Sequence, residues 1–394
     1  LVDYVAYSRE TISGYSETLI LPNTPGWQLA APAAATAVAA AAAAVGDFPD
    51  RRARIAAVLL VVAAGFASYK AGVVRSDPGH LEVAMASLVG IWPAIPWVPR
   101  LVPWRVLAGA GLAVLVAVSL NMQADVNQDR LDPIENVDRA VDNAEIALSP
   151  GRRDEIQAFS RAVMLATYDL DERTLAELSG RSVSIDPWEI SVAWAYDLDW
   201  HPVPIFQNYQ AYTTELDELN AETLADPDGP ERVLRQNPAE TGLEEVETRG
   251  VDGHYSSWEA PAQSVATLCN FEALSTTVLW QVLARVPDRC GEPELIESVE
   301  SAYGEEVPVP PAGPGEVVFV RIDGAGVSGL EKLRTLLYRA RFRYAVVDGA
   351  SYRLVPGTAG DGLLLDGSPE LVGTGPWAEA PGAETIELIG LDGD

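Results

Sequence analysis

Residues 51–80 read RRARIAAVLLVVAAGFASYKAGVVRSDPGH. Three arginines lead into an uncharged run, Ile55 to Tyr69, which ends on Lys70. A membrane-crossing helix wants ~20 apolar residues, so this run needs Arg54 and Lys70 to reach back toward the interface. Beyond it lie Lys70, Gly72, Arg75, Asp77 and His80, an ionisable cluster at the mouth of an apolar segment. Such clusters are costly there and are seldom left without a use.

Three further apolar runs flank this one. Trp27 to Val45 is almost pure alanine, Leu81 to Val98 is broken by Pro93 and Pro96, and Val106 to Leu120 is short. Trp27, Trp92, Trp97 and Trp104 sit near the ends, as interfacial tryptophans do. The pattern predicts a transmembrane region over residues 1–121 with about four helices. Buried core helices are the soluble alternative, but four such runs leave little polar surface to solvate them. Arg51, Arg52, Arg54, Arg100 and Arg105 fall on one side, and Lys70 and Arg75, offset by Asp77, on the other. That margin puts the five inside and everything after Asn121 outside, giving a multi-pass cell-membrane protein with an extracytoplasmic C-terminal region. The chain opens on Leu1 and reads as the C-terminal piece of a longer protein with upstream helices.

The charge is split as sharply as the hydropathy. Residues 1–121 hold 8 basic and 7 acidic side chains, whereas 122–394 hold 19 and 50, essentially the whole formal charge of −30. That surface repels phosphate backbones and anionic headgroups, so nucleic acid is not an expected partner. The two cysteines, Cys269 and Cys290, both lie in this acidic part. They are expected to form a disulfide, which an oxidising compartment permits, with two buried thiols as the alternative. Their number and spacing do not make a zinc site.

Residues 122–250 read as an α/β subdomain. Helices are expected over Pro133–Leu148, Arg152–Tyr168 and Glu172–Ser179. The strand Val183–Ile185 is followed by Asp186-Pro187-Trp188-Glu189, an N-cap, first-position proline and capping-box pattern that predicts a helix to about Leu198. Val203–Phe206 reads as a second strand and Thr214–Leu224 as a helix, implying a parallel pair. Residues 251–394 read as a β-sandwich. Ser264–Phe271 and Thr277–Val286 form an expected hairpin, with short strands after it, a helix over Gly329–Tyr338 and a tight turn at Asp348-Gly349. The fold class is thus a membrane α-helical segment followed by an α+β soluble region.

Lys70 and Arg75 are candidate phosphate-binding residues, and Asp77 and His80 candidate proton-transfer residues, His80 being able to titrate near neutral pH. The bland alternative is an ordinary loop contacting headgroups. Trp188, Trp194, Trp200, Tyr209 and Tyr212 crowd one region, with Tyr196 among them. They are candidates for a glycan-binding wall, or else core. Asp186 and Glu189 could form a carboxylate pair, but a capping box explains both without catalysis. Asp197, Asp199 and His201 could bind a metal, but their spacing fits no tight site and reads as a turn after a helix. Asp125-x-Asn127-x-Asp129 opens like a calcium loop but continues with Arg130 and Asn136 where glycine and glutamate belong. No metal or cofactor is expected.

Gly14-Tyr15-Ser16, the Lys70–His80 stretch, Asp186–Glu189 with Ala193–Tyr196, Pro204–Thr213, Arg285–Gly291 and Tyr352–Pro356 resemble a group of uncharacterised bacterial polytopic membrane proteins. The resemblance covers most of the chain and implies membrane helices followed by an extracytoplasmic region, with no established activity. The layout is also similar to membrane glycosyltransferases that use lipid-linked sugars. That likeness is one of architecture, and the usual early-loop carboxylate would be reduced here to Asp3, Glu10 and Glu17. The expectation is glycosyl transfer or glycolipid handling in the cell envelope, with a polyprenyl-phosphate sugar as donor. The alternative is a non-enzymatic envelope protein whose outer domain binds glycan or a protein partner.

Overall fold

The computed structural model describes residues 2–21, 24–94, 109, 111–114, 116, 118, 133–237, 250–367 and 382–391. It divides into two compact units. One is built mainly from 19–152 with 332–340, and the other from 1–18, 153–331 and 341–393.

The first unit is organised by apolar helices. α1 (Val2–Thr18) belongs to the other unit, and the apolar series begins with α2 (Gly26–Val45), α3 (Arg51–Arg75) and α4 (Pro78–Ile91). Asp50 starts α3 by accepting the Ala53 N–H at 2.8 Å, a standard N-cap. α3 does not stop at Tyr69, because Lys70-Ala-Gly-Val-Val-Arg75 continues without a breaker. It ends where Ser76 turns left-handed. The run therefore sits in a helix of 25 residues, long and apolar enough to cross a bilayer, with Arg54 and Lys70 bounding its uncharged stretch. α2, with 20 residues, also qualifies. α4 has 14 residues and does not, and the end of the third run, residues 95–98, lies outside the described residues. The fourth run lies largely outside the described residues, as do Trp97, Trp104, Arg100, Arg105 and the Asp125 motif. Two helices long and apolar enough to cross a membrane are thus described. Val61, Val73, Leu81, Met85 and Leu88 pack inward, while Ile55, Leu59, Leu60, Val62 and Phe66 of α3 are exposed.

The second unit holds the sheets. α5 (Pro133–Leu148), which belongs to the helical unit, and α6 (Pro150–Tyr168), which lies mostly in this one, match the expected helices, and α7 (Glu172–Leu178) follows with Asp171 as its cap. β1 (Ser182–Asp186), β2 (Asp199–Trp200), β3 (Arg232–Gln236), β4 (Phe271–Thr276) and β5 (Trp280–Arg285) form one mixed sheet in the order β2-β1-β3-β5-β4. β1 pairs parallel with both β2 and β3, and β5 runs antiparallel to β3 and β4. The expected parallel pair is therefore present. The sheet draws strands from both sides of residue 250, so it cuts across the subdomain boundary read from sequence. One face packs Val183, Ile185, Leu234 and Val282 against α7 and α8 (Ser191–Ala195). The opposite face packs Val233, Leu268, Phe271 and Leu283 with Leu224, and is covered by α9 (Thr214–Ala225) and α10 (Pro261–Asn270).

Three local expectations are corrected. Asp186 ends β1 rather than capping a helix, because its carboxylate is claimed by side chains far along the chain; α8 begins only at Ser191. The strand expected at Val203–Phe206 is absent among the described residues, and β2 is Asp199–Trp200. Ser264–Phe271 is mostly the helix α10 rather than a hairpin arm. Pro261 at its first position and the Asp217 carboxylate, which accepts the N–H groups of Ala262 and Gln263, favour the helix. The hairpin is β4–β5 instead.

Beyond the disulfide, β6 (Glu306–Pro308), β8 (Phe342–Val347), β9 (Ala350–Arg353) and β11 (Thr385–Leu391) form a four-stranded antiparallel sheet. β7 (Val317–Val320) pairs with β10 (Leu363–Gly367). Asp348 and Gly349 both take positive φ between β8 and β9, the turn expected of that dipeptide. α11 (Gly329–Leu337) is the expected helix. Tyr255, Trp258 and Tyr352 pack together with centroids 5.2–5.8 Å apart, Tyr352 meeting each of the other two edge to face, in this core.

Candidate functional site

Parallel strands deliver their side chains in register, and here that places two opposite charges together. Asp186, the last residue of β1, is the direct partner of Arg235 in β3. Arg235 in turn faces Gln281 of β5. The three make a polar row across one face of an otherwise apolar sheet. Arg235 Nε donates to Asp186 Oδ2 at 2.8 Å, and both side chains are buried. Asp186 Oδ1 accepts from Asn208 Nδ2 at 3.1 Å and from Gln263 Nε2 at 3.0 Å. A buried carboxylate is tolerable only with this kind of complete pairing.

The row lies at the carboxyl ends of β1 and β3. The chain leaves β1 toward β2 on one side and leaves β3 toward β4 and β5 on the other. This is a topological switch point, where open α/β sheets form their binding crevice. Two buried acceptors there, Asn208 Oδ1 and Gln281 Oε1, take no hydrogen bond from the described protein. Buried acceptors of this kind are usually satisfied by ordered water or a ligand hydroxyl.

Glu259 supplies a second carboxyl. It is buried, and its Oε1 accepts the Val251 N–H. Gly250 permits this approach, since a Cβ there would lie 2.4 Å from the Glu259 carboxyl carbon. Burial pushes the Glu259 pKa up to about 8; the Val251 hydrogen bond opposes this and the Asp186 charge adds to it. His254 Nδ1 lies 3.9 Å from Glu259 Oε1, and His254 is buried too. One carboxyl is therefore ion-paired while its neighbour holds a proton at neutral pH, the division that acid–base sites use. Asp217, buried at the start of α10, is likewise raised to about 8 by burial, against the N–H groups it accepts.

Two residues past Asp186, Trp188 meets Tyr209 edge to face at 5.7 Å, and both are partly exposed. Glu189 lies between partners, accepting from Trp188 Nε1 at 3.2 Å and Tyr168 Oη at 3.0 Å. The remaining aromatic candidates separate from this pair. Trp200 packs edge to face on Phe206, Trp194 lies under Arg161, and Tyr212 is buried with its ring against Gly14. Asp197 pairs with Arg161 instead of joining Asp199 and His201.

In the apolar unit, Asp77, His80 and Arg75 come together and Lys70 does not join them. Asp77 caps α4, accepting the His80 N–H at 2.8 Å. His80 Nδ1 lies 2.8 Å from Asp77 Oδ2, and Arg75 Nε 3.3 Å from the same oxygen. Burial pushes the Asp77 carboxyl up, but the His80 N–H, the His80 ring and Arg75 outweigh it and hold it below the usual carboxylate range. Lys70 Nζ instead donates to the carbonyls of Thr335 at 2.7 Å and Tyr338 at 2.9 Å.

Cys269 and Cys290 form the expected disulfide. Asp288 lies beside the two sulfurs, but with the sulfurs joined the group offers no thiolate to a metal. Arg235, Glu259, Gln263, Asn208 and Gln281 were not anticipated from sequence. The available signal was Arg235 directly after Val233-Leu234, a charge inside an apolar strand. Compared with protein-family models, curated proteins and solved structures, the chain matches none.

Proposed function

We propose that this is a membrane-anchored protein whose acidic unit binds a hydroxyl-rich ligand of the glycan class at the carboxyl ends of β1 and β3. The observation that carries the reading is the buried Asp186, fixed by Arg235, Asn208 and Gln263, with the paired rings of Trp188 and Tyr209 adjoining Pro187 and Asn208 in the chain. Sugars are held by flat aromatic faces together with carboxylates and amides, which serve as acceptors and donors for ring hydroxyls. In this reading the chain crosses the membrane more than once and carries the acidic unit outside. The disulfide supports an oxidising side for that unit. The four-stranded sheet and the β7–β10 ladder, which share one core, are read as the leaves of a small β-sandwich.

The test uses the full chain in detergent. It should be retained on immobilised cell-envelope polysaccharide, and W188A or Y209A should weaken retention about tenfold, equivalent to ~1.4 kcal/mol. No retention of the unaltered chain, or equal retention of both variants, refutes the reading.

One observation favours a second reading, glycosyl transfer or glycolipid handling from a polyprenyl-phosphate sugar. The Asp77–His80 pair is an acid–base constellation with the imidazole part-exposed, and Arg75 is at hand for phosphate. Lys70 would then act by holding structure and not by binding phosphate. Replacing both Asp77 and His80 by alanine should abolish an envelope product at unchanged protein level; an unchanged product excludes this chemistry.

A further inference from the structure

α11 is short, yet it presents an apolar stripe outward. Leu330, Leu333, Leu336 and Leu337 are 85%, 52%, 63% and 53% exposed. At about 100° per residue, these four leucines occupy an arc of about 120° on one side of the helix. The opposite side carries Glu331, Thr335 and Tyr338. Glu331 accepts from Arg343 at 3.0 Å, Thr335 is buried, and Tyr338 packs on the apolar core of the helical unit. The side that the protein uses is thus filled, and the leucines point away from it. Lys332 and Arg334 fall at the two flanks of the leucine arc.

Charge singles out the same segment. Residues 329–343 carry Lys332, Arg334, Arg339, Arg341 and Arg343 against Glu331 alone, in a chain of net charge −30. The two lysines of the sequence converge on this helix. Lys332 lies on its flank, and Lys70 grips its C-terminal carbonyls at Thr335 and Tyr338, where a cation also suits the helix dipole. Arg339 donates to the Leu21 carbonyl, fixing the segment a second time within the helical unit. Lys70 belongs to α3, whose own Leu59, Leu60 and Phe66 are exposed.

We infer that α11 is an interfacial helix: its leucines lie in the acyl boundary of the leaflet at the Lys70 end of α3, and Lys332 and Arg334 contact anionic headgroups. An exposed leucine stripe flanked by basic residues is the pattern of a helix lying in the plane of a bilayer. Each basic residue near an anionic surface contributes ~1 kcal/mol, and the leucine arc contributes by the apolar area it removes from water. Anchored at one end by Lys70, the helix forms a collar where α3 leaves the bilayer. The inference rests on the membrane reading of α2 and α3.

The experiment uses the full chain with its disulfide intact. L333C carries a nitrobenzoxadiazole probe, with I296C on an exposed loop of the acidic unit as the aqueous reference. Both are reconstituted in phosphatidylcholine–phosphatidylglycerol vesicles. The L333C probe should emit to the blue of I296C, lose quenching by iodide and be quenched by lipids carrying a shallow nitroxide. Replacing phosphatidylglycerol by phosphatidylcholine, or introducing K332Q/R334Q, should reduce the lipid quenching. A chain that washes off the vesicles at alkaline pH defeats the membrane reading and this inference together. A chain that stays while L333C behaves as I296C defeats this inference alone. Protection from iodide without lipid quenching means that protein covers the leucines, and also overturns it. Equal insertion into neutral vesicles overturns the anionic assignment. L336C, on the same arc, repeats the measurement should L333C fold poorly.

Discussion

The two units of this protein spend their charges in opposite ways. The helical unit exposes Leu59, Leu60 and Phe66 and ties its ions to helix ends: Lys70 to the carbonyls of α11, Asp77 to the start of α4. The acidic unit covers its outside with carboxylates and also buries several of them, namely Asp186, Asp217 and Glu259. Ions at helix ends are inexpensive, because unsatisfied backbone groups already wait for them. Ions inside a sheet core cost several kcal/mol each unless fully paired. A ligand site is the ordinary reason to keep such an arrangement, so the comparison itself directs attention to the Asp186 row.

The comparison breaks first at Arg235. R235A leaves Asp186 buried with only two amide donors, and should destabilise the acidic unit by about 3–5 kcal/mol. The apolar exchange D186L/R235M should lose far less, since well-packed residues can replace a buried pair at little cost. Thermal unfolding of the full chain in detergent, followed through the buried tryptophans, reads both. An R235A chain as stable as the parent would mean that the pair is not isolated from water.

Glu259 gives the next largest effect, through pH. Its pKa is about 8 in the fold against 4.5 unperturbed. The folded state therefore binds more protons than the unfolded state between those values, and stability falls as pH rises. The contribution is fully present below about pH 4.5 and is lost as pH climbs through about 8. E259Q carries no titrating proton, so its melting temperature should decline less between pH 5 and pH 8 than that of the parent. Asp217, raised in the same direction, should leave a residual slope. Parallel curves for parent and E259Q would show Glu259 to be ionised in the fold at neutral pH.

What could be read from sequence follows the same division. α2, α3, α5, α6, the Asp348-Gly349 turn and the cysteine pairing are decided by neighbours in the chain, and local pattern finds them. The Asp186 row is decided by register. Asp186-Pro187-Trp188-Glu189 carries every mark of a helix start, yet Arg235, 49 residues on, takes the carboxylate, and Asp186 closes a strand instead. Ser264–Phe271 shows alternation, yet Asp217 from α9 caps it as a helix. Long-range pairing is invisible to periodicity, and it is where the chemistry lies.

Asp77 offers the finest test of the contrast. Its carboxylate receives the His80 N–H, the His80 ring and Arg75, all within five residues of chain. Loss of such a cap typically costs about 1 kcal/mol, well below the loss expected at Asp186. D77A should therefore lower the stability of the helical unit only slightly, and D77N, which keeps an acceptor for the His80 N–H, should lower it less. The same variants separate structure from chemistry. With Asp77 removed, the His80 ring loses the oxygen that lies 2.8 Å from its Nδ1, and its ring 15N chemical shifts should change as that hydrogen bond is lost. His80 ring shifts unchanged in D77A would show that the pair does not persist in solution, and the acid–base reading of that loop would fall while the cap survived.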